Sequence, residues 1–341
     1  TRIVSGQPVD IIAMAIEGAQ ATITQDLLLP IDDYIAGDPE AQTMLEDVHP
    51  ALHDALKGTD GTTYYLTREW NNMCIHYNTA LFEGAGLEPP AADWTWEQFL
   101  ETAKTLTTGE GDSKVFGFAL PYFNFGLSPW FHSNGTSTLT PDWSASNLND
   151  PKMLESVQFI HSLVHEHGVA PTVEGTEPYS LFPSGRVAMT GAGRWPFANY
   201  LANDFKTVDI QYWPRKVSST TVFGSGGYAI TKASQNPDVA WQLMKDLTSF
   251  ETDQGVVAVG TSLPARRSVA ELPEFTAFPA NAGVFFGSLD DVKPVPSPAN
   301  FAEVESIFMR HMGLIMANSV TPEEGLAAAH EELSAEMAKA R

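Results

Sequence analysis

The sequence predicts an α/β protein of two medium-sized domains, and three observations carry that expectation. The chain has 341 residues, too many for one comfortable core and enough for two. Apolar residues make up 43% of it, so packed interiors are expected and disorder is not. Short β-prone runs alternate with clearly signalled helices, the pattern of layered α/β folds.

The elements follow in order. Asp10 to Ala15 in "QPVDIIAMAIEGAQ" reads as a short buried strand, followed by a loop carrying Glu17 and Gly18. "LLLPIDDYIAGD" is a short helical turn punctuated by Pro30 and Gly37. "TDGTTYYLTREWNNMCIHYNTALF" predicts a hairpin, because Asp60-Gly61 is a turn dipeptide between β-prone runs. In "WTWEQFLETAKTLT" Thr95 caps a helix, Gln98 sits at the capping-box spacing, and Phe99, Ala103 and Leu106 recur at helical intervals. Asp150 and Pro151 open a second helix that Gly168 stops. Asn236 and Pro237 open a third, and Thr321 and Pro322 a last one with an acidic first turn that suits the helix dipole. "VKPVPSPANF" is an extended connector, too rich in proline for a sheet interior.

Composition excludes several function classes. Against 19 Lys plus Arg stand 42 Asp plus Glu, a net charge of −23. Such a field repels phosphate backbones and anionic lipid surfaces, so no nucleic-acid partner is expected. No apolar run approaches the ~20 residues of a membrane span. A charged-then-apolar leader is missing too, so an export signal is expected to be removed or outside this chain. The single cysteine, Cys74, forms no internal disulfide; between Met73 and Ile75 it reads as a small buried hydrophobe.

Three glycines in four residues, Gly224, Gly226 and Gly227, stand before "YAIT". A phosphate-binding loop would need Gly-Lys-Ser/Thr, or glycines that open a helix directly. Here they run into a β-like tetrad, so they mark backbone needing positive φ or close approach. His161 and His165 lie one helical turn apart, and His49 and His53 share that spacing. Neither pair belongs to a recognisable zinc motif, and no metal is expected. Paired carboxylates such as Glu17 and Glu69 could serve a glycoside hydrolase. No Gly-x-Ser-x-Gly elbow anchors a triad.

The eight tryptophans are more informative. Trp94, Trp96 and Trp241 fit helix faces or ends, whereas Trp70, Trp130, Trp195 and Trp213 fall where loops are expected. Sugar recognition wants an apolar ring face plus amide and charged groups for hydroxyls. "EWNN", "PYFNFGLSPWFHSNG" and "GAGRWPF" each offer that pairing.

These pieces also stand in a familiar order. "SGQPVDII" (with Val9 inserted), "LLLPIDDYI", the run from "DGTTYYLTREWNN" to the Trp-led helix, "LFPSGRVAMTGAGRW", "GGYAITKASQNPDVAWQLMKDLTSFETDQ" and "SLPARRSV" recur in register along nearly the whole chain. In these segments the chain resembles the extracellular solute-binding proteins of ABC importers, in the sugar-binding group similar to maltose-binding protein. The resemblance implies a two-lobed, class II periplasmic-binding-protein-like α/β fold with a ligand cleft between the lobes and hinge closure. Members begin with a strand, a helix and a strand before the Ser-Gly segment. This chain starts on that segment, so its N-terminal lobe is expected to lack them.

By the same resemblance, residues 1–72 and 228–294 form the N-terminal lobe, and 73–227 and 295–341 the C-terminal lobe. Crossovers are expected near 70–73, 224–228 and 293–298. Ligand contacts are implied for Glu17, Glu69, Trp70 and Asn72, for Tyr122, Asn124 and Trp130, and for Gly193, Arg194 and Trp195 on another wall. Ser225, Gly226 and Tyr228 follow at the crossover, with Arg266 a further position that could serve structure alone. The implied function is capture of a sugar or oligosaccharide and delivery to ABC permease subunits. A periplasmic or extracellular monomer is implied, with neither catalysis nor cofactor. The alternatives are a carbohydrate-active hydrolase and a binder of a non-sugar solute such as a polyamine or phosphate ester. Arg194 with Glu17 and Glu69 leaves acidic and amino sugars both open.

Overall fold

Strand-length apolar runs that are far apart in the sequence pair to build the first sheet. In the computed structural model, which describes residues 9–339, β1 (Ile11–Ala15) and β2 (Tyr65–Asn72) do not touch as neighbours. The later strand β6 (Thr221–Ile230) lies between them, and β7 (Leu263–Pro264) completes the order β1-β6-β2-β7. β1 runs antiparallel to β6 with Ile11 opposite Ile230 and Ala15 opposite Gly226. β7 runs antiparallel to β2 with Glu69 opposite Pro264. A second sheet has the order β4-β3-β5, from Met189–Ala192, Cys74–Asn78 and Val208–Gln211, all antiparallel.

The chain divides into two compact units. Unit 1 holds the chain up to Asn71, Phe223–Ala277 and Ser297–Phe301; unit 2 holds Asn72–Val222, Phe278–Pro296 and the chain from Ala302 on. The third long stretch departs from the sequence reading, which kept 228–294 together in the N-terminal lobe. Phe278 and Phe285 bring their rings to 5.5 and 6.0 Å from Phe197. Asn281 adds bonds from its backbone N–H to Asp209 Oδ1 (2.9 Å) and from Nδ2 to the Ile210 carbonyl (3.0 Å). These contacts hold 278–296 with unit 2.

Helix signals carried by adjacent residues are realised. Thr95 and Gln98 form a reciprocal capping box on Trp96–Leu106. Asp150 caps Pro151–His165, and Gly168 takes φ 60° beyond its end. Thr321 Oγ1 accepts from the Glu324 N–H at the start of Pro322–Lys339. Pro237–Leu247 begins behind Asn236, but that side chain makes no capping bond.

Four readings need correction. The first strand starts at Ile11, and Glu17 and Gly18 lie in a helix, Ile16–Thr24, not a loop. Gly18 is there for packing: a Cβ would sit 2.3 Å from Met14 Sδ. No hairpin turns at Asp60-Gly61; the chain comes out of the helix Pro50–Asp54, and that turn, with Gly61 at φ 84°, leads into β2. β2 and β3 follow one another along the chain and enter different sheets. Within the proline-rich connector, Val292–Pro294 forms a short strand, β8, that pairs with β6. Ser5 and Gly6 of the first matched segment lie outside the described residues.

Each unit has its own core. In unit 1, Ile31, Leu66, Ile230, Trp241 and Met244 pack together. In unit 2, Trp130 is the hub of an aromatic cluster, with Trp96, Phe99, Phe118, Phe159 and Trp213 at 4.9–6.0 Å between ring centroids. Both Trp130 and Trp213 are therefore core residues, and Trp130 lies in the helix Asn124–Ser133 rather than in a loop. No helix among the described residues is long and apolar enough to cross a membrane.

Candidate functional site

In unit 1 the structure gathers several of the residues expected to bind ligand around the end of β2. Glu69 accepts from Ser262 Oγ at 2.5 Å through Oε2 and is paired with the Arg68 guanidinium through Oε1. Arg68 also donates to the Tyr228 hydroxyl (3.2 Å) and lies 5.5 Å from the centre of that ring. Gly226 faces the same carboxylate: a Cβ there would stand 3.6 Å from Glu69 Oε1. Glu17 belongs to the helix that follows β1, and burial raises the pKa of its carboxyl. Arg68 and Ser262 were missed by sequence reasoning. The signal for Arg68 was its place next to Glu69, but alternation along a strand argues against neighbours sharing a face.

Other unit 1 positions have their polar atoms committed to the protein. Trp70 is buried, and its indole N–H donates to the Pro264 carbonyl at 2.9 Å. Ser225 is buried on β6, with its hydroxyl directed at the Leu52 carbonyl (3.3 Å). Arg266 donates through Nε to the Thr248 carbonyl (3.1 Å) and lies 3.7 Å from Asp47. Its backbone N–H is held by Asp253 Oδ2 at 2.9 Å.

Burial pushes the Asp253 carboxyl up to about 6, against the pull of the amides of Arg266 and Ala265 and of the Arg266 guanidinium. An ordinary aspartate titrates near 3.8. A carboxyl whose native pKa is raised stabilises the fold when protonated, and that contribution is lost as pH rises through the native value. Asp253→Asn is therefore expected to flatten the fall in stability between about pH 4 and pH 7. Urea midpoints across that window check it, and an unchanged slope in the variant would refute the assignment.

Unit 2 presents a different arrangement, buried polar atoms without protein partners. Asn72 donates through Nδ2 to the Phe285 carbonyl (3.2 Å) and Ser288 Oγ (2.6 Å), while its Oδ1 has no hydrogen-bond partner. The same holds for Tyr122 Oη, Asn124 Oδ1 and Trp130 Nε1. Asn124 opens the helix on which Trp130 lies, so a single element carries both. Burial raises the pKa of the Tyr122 phenol, keeping it a neutral donor. A buried polar group left unmatched costs about 1–3 kcal/mol, so several together point to a ligand or ordered water.

Trp195 supplies the aromatic face. It sits half-buried in the turn between β4 and the helix Phe197–Ala202. Phe123, Phe125 and Tyr179 surround it at 6.5, 6.3 and 6.0 Å, all in edge-type contacts. Gly193 and Arg194 precede it; Arg194 lies 5.6 Å from the Phe197 ring centre, and burial lowers its pKa to about 10. Gly193 is buried just past the end of β4. Tyr179, whose hydroxyl donates to the Gly191 carbonyl at 3.2 Å, carried no sequence signal for this role.

The histidine pair is turned to other work. His161 and His165 stack at 4.3 Å, with their Nε2 atoms at Asn318 Oδ1 (3.3 Å) and the Met316 carbonyl (2.9 Å). No group of three or more His, Cys, Asp or Glu able to hold a metal occurs among the described residues. Cys74 is buried, and burial raises the pKa of its thiol, which leaves it unreactive.

Comparison with known proteins shows the family. The chain belongs to the bacterial extracellular solute-binding protein family, whose description matches residues 3–283. An arabinooligosaccharide-binding protein of Halalkalibacterium halodurans is 22% identical, over 89% of this chain and 74% of that protein. An ABC substrate-binding protein of Listeria monocytogenes in complex with cycloalternan aligns with a TM-score of 0.88 at 23% identity, covering 99% of this chain and 87% of that one. The sugar-binding protein MalE of Xanthomonas citri aligns at 0.86 with 18% identity, covering 100% and 86%. The two-lobed α/β fold is thus shared with solved sugar-binding proteins.

Proposed function

We propose that the protein captures a sugar or oligosaccharide outside the cytoplasm and delivers it to the permease of an ABC importer, without catalysis. The observation that carries this reading is the set of unmatched buried polar atoms on Asn72, Tyr122, Asn124 and Trp130 in the unit that also exposes the Trp195 ring. Carbonyl oxygens accept from sugar hydroxyls, the phenol donates to them, and the Trp195 face stacks on the apolar side of a pyranose, with Trp130 supporting the site from the core. Glu69, fixed by Arg68 and Ser262, adds a charge-assisted partner for hydroxyls. Glu17, Tyr228 and Gly226 belong to that second set, with Gly193 and Arg194 beside Trp195. Trp70, Ser225 and Arg266 are proposed to support it, since their polar groups are committed to the protein.

The neighbours that bind oligosaccharides support the same class of ligand. A panel of mono- and oligosaccharides is expected to raise the melting temperature, by ligand linkage, and to shift tryptophan fluorescence. At a hundredfold excess over Kd the stabilisation is about 2.7 kcal/mol. A panel that moves neither signal would sink the sugar reading, and release of reducing ends from any glycan would replace it with hydrolysis.

A further inference from the structure

Unit 2 contains a cavity of about 460 Å³ that none of the proposed sugar contacts lines. Its walls include Trp143, Lys293, Ser137, Ser218 and His132. The volume falls in the range of small-molecule pockets, about 300–1,000 Å³. His132 is eight residues along the helix that Asn124 opens, about 12 Å further along its axis at 1.5 Å per residue.

The walls are specialised in three ways. Trp143 is held at φ 57°, in a turn closed by its N–H to the Thr140 carbonyl (2.8 Å) and by Thr140 N–H to the Ala145 carbonyl (2.9 Å). Left-handed backbone costs a bulky residue about 1 kcal/mol or more, and glycine would occupy it freely. Keeping an indole there calls for a use of the indole.

The second specialisation is charge. Seven lysines form ion pairs. Lys114, Lys152 and Lys293 do not, among the described residues, and two of these three stand at the cavity. Lys293 lines the cavity, and Lys152 Nζ lies 3.1 Å from where a Cβ would stand on Gly135, another wall residue. Carboxylates also border the cavity, and their oxygens accept from hydroxyls of its own walls and from backbone N–H groups. Asp150 accepts from Thr136 Oγ1 (2.7 Å) and the Lys152 backbone N–H (2.9 Å), and Asp291 accepts from Thr220 Oγ1 (2.6 Å). Two unpaired ammonium groups at one cavity, in a chain of net charge −23, mark a place for an anion.

Third, His132 places Nδ1 at 3.2 Å from the Thr136 carbonyl, while its buried Nε2 has no protein partner. A neutral ring donating from Nδ1 keeps Nε2 as an acceptor, suited to a hydroxyl.

We propose that this cavity is an accessory site for a single-ring anionic sugar bearing a carboxylate or a phosphate. The Trp143 indole meets the apolar ring face, Lys293 and Lys152 meet the anion, and His132, Ser137 and Ser218 meet hydroxyls. The test is titration calorimetry on the whole chain with D-glucuronate, D-glucose 6-phosphate, D-glucose and inorganic phosphate. At least one acidic sugar is expected to bind, and whichever binds more tightly identifies the anion. Trp195→Ala should leave that binding unchanged, which separates this site from the main one. Lys293→Met should weaken it roughly tenfold by removing a charge-assisted bond. Trp143→Gly should abolish it while keeping or raising the melting temperature, because it removes both the indole and the strain. The proposal is overturned if neither acidic sugar binds, or if D-glucose binds as well as either of them. Inorganic phosphate matching the sugar phosphate would reduce the site to an adventitious anion contact. Binding that survives Lys293→Met and Trp143→Gly, or that disappears with Trp195→Ala, would also refute it.

Discussion

Trp195→Ala is expected to weaken sugar binding by roughly 30- to 100-fold, a loss of about 2–3 kcal/mol typical of a central aromatic anchor. Phe123, Phe125 and Tyr179 meet this indole edge-on and fix its plane. The ring is half-buried and outside the Trp130 core cluster, so the melting temperature should fall by only a few degrees. Fluorescence titration with the best sugar of the panel measures the first effect and calorimetric scanning the second. Affinity within threefold of the parent would remove Trp195 from the binding surface.

Gly227→Ala is expected to destabilise unit 1. A Cβ at this position would lie 2.7 Å from the Leu66 carbonyl oxygen and 3.0 Å from both Leu56 Cδ1 and Tyr65 Cβ. The nearest of these is backbone in the adjacent strand, which cannot yield without breaking the β2–β6 pairing. Overpacking of this kind costs roughly 1–3 kcal/mol, or about 3–10 °C in the transition of the unit that carries it. Gly226→Ala makes the contrast, because its Cβ would meet only ordinary contacts at 3.6–3.7 Å. Stability there should stay within about 0.5 kcal/mol of the parent, while the methyl group pressed toward Glu69 Oε1 weakens sugar binding. Should the alanine at 226 be the more destabilising of the two, this account of the glycine cluster would be wrong. None of the three glycines takes a positive φ; close approach alone sets the requirement, and it falls on Gly227.

What could be read from the sequence was local. The capping box at Thr95 and Gln98, the Asp150-Pro151 start and the stop at Gly168 are signals between residues a few positions apart. Chain geometry delivers them whatever surrounds them. Gly18 misled because a glycine in the sequence suggests a turn, whereas the fold uses its missing side chain to seat Met14 against a helix. The run from Tyr65 to Asn78 is mostly buried along its length, so no periodicity marks the point where it leaves one sheet for another.

The site was legible by residue type but not by exposure. Trp130 and Trp195 both stand beside proline and small residues in the sequence. One became the fully buried hub of a core and the other stayed half-buried in a turn, a difference set by how many distant rings pack around each. Arg68 escaped notice for a related reason: its partnership with Glu69 is set by side-chain reach, which strand alternation does not encode.

The strand order of unit 1 also sets a timetable for synthesis. β1 and β2 emerge early, yet the strand that must lie between them begins only at Thr221. At ~5–20 residues per second, the stretch from Asn72 to Thr221 takes roughly 7–30 s to make. Throughout that interval the early strands have no template to pair with, and loop-closure entropy opposes joining them to distant partners. The sheet of unit 1 therefore closes late, whereas all three strands of the second sheet are made before β6 begins.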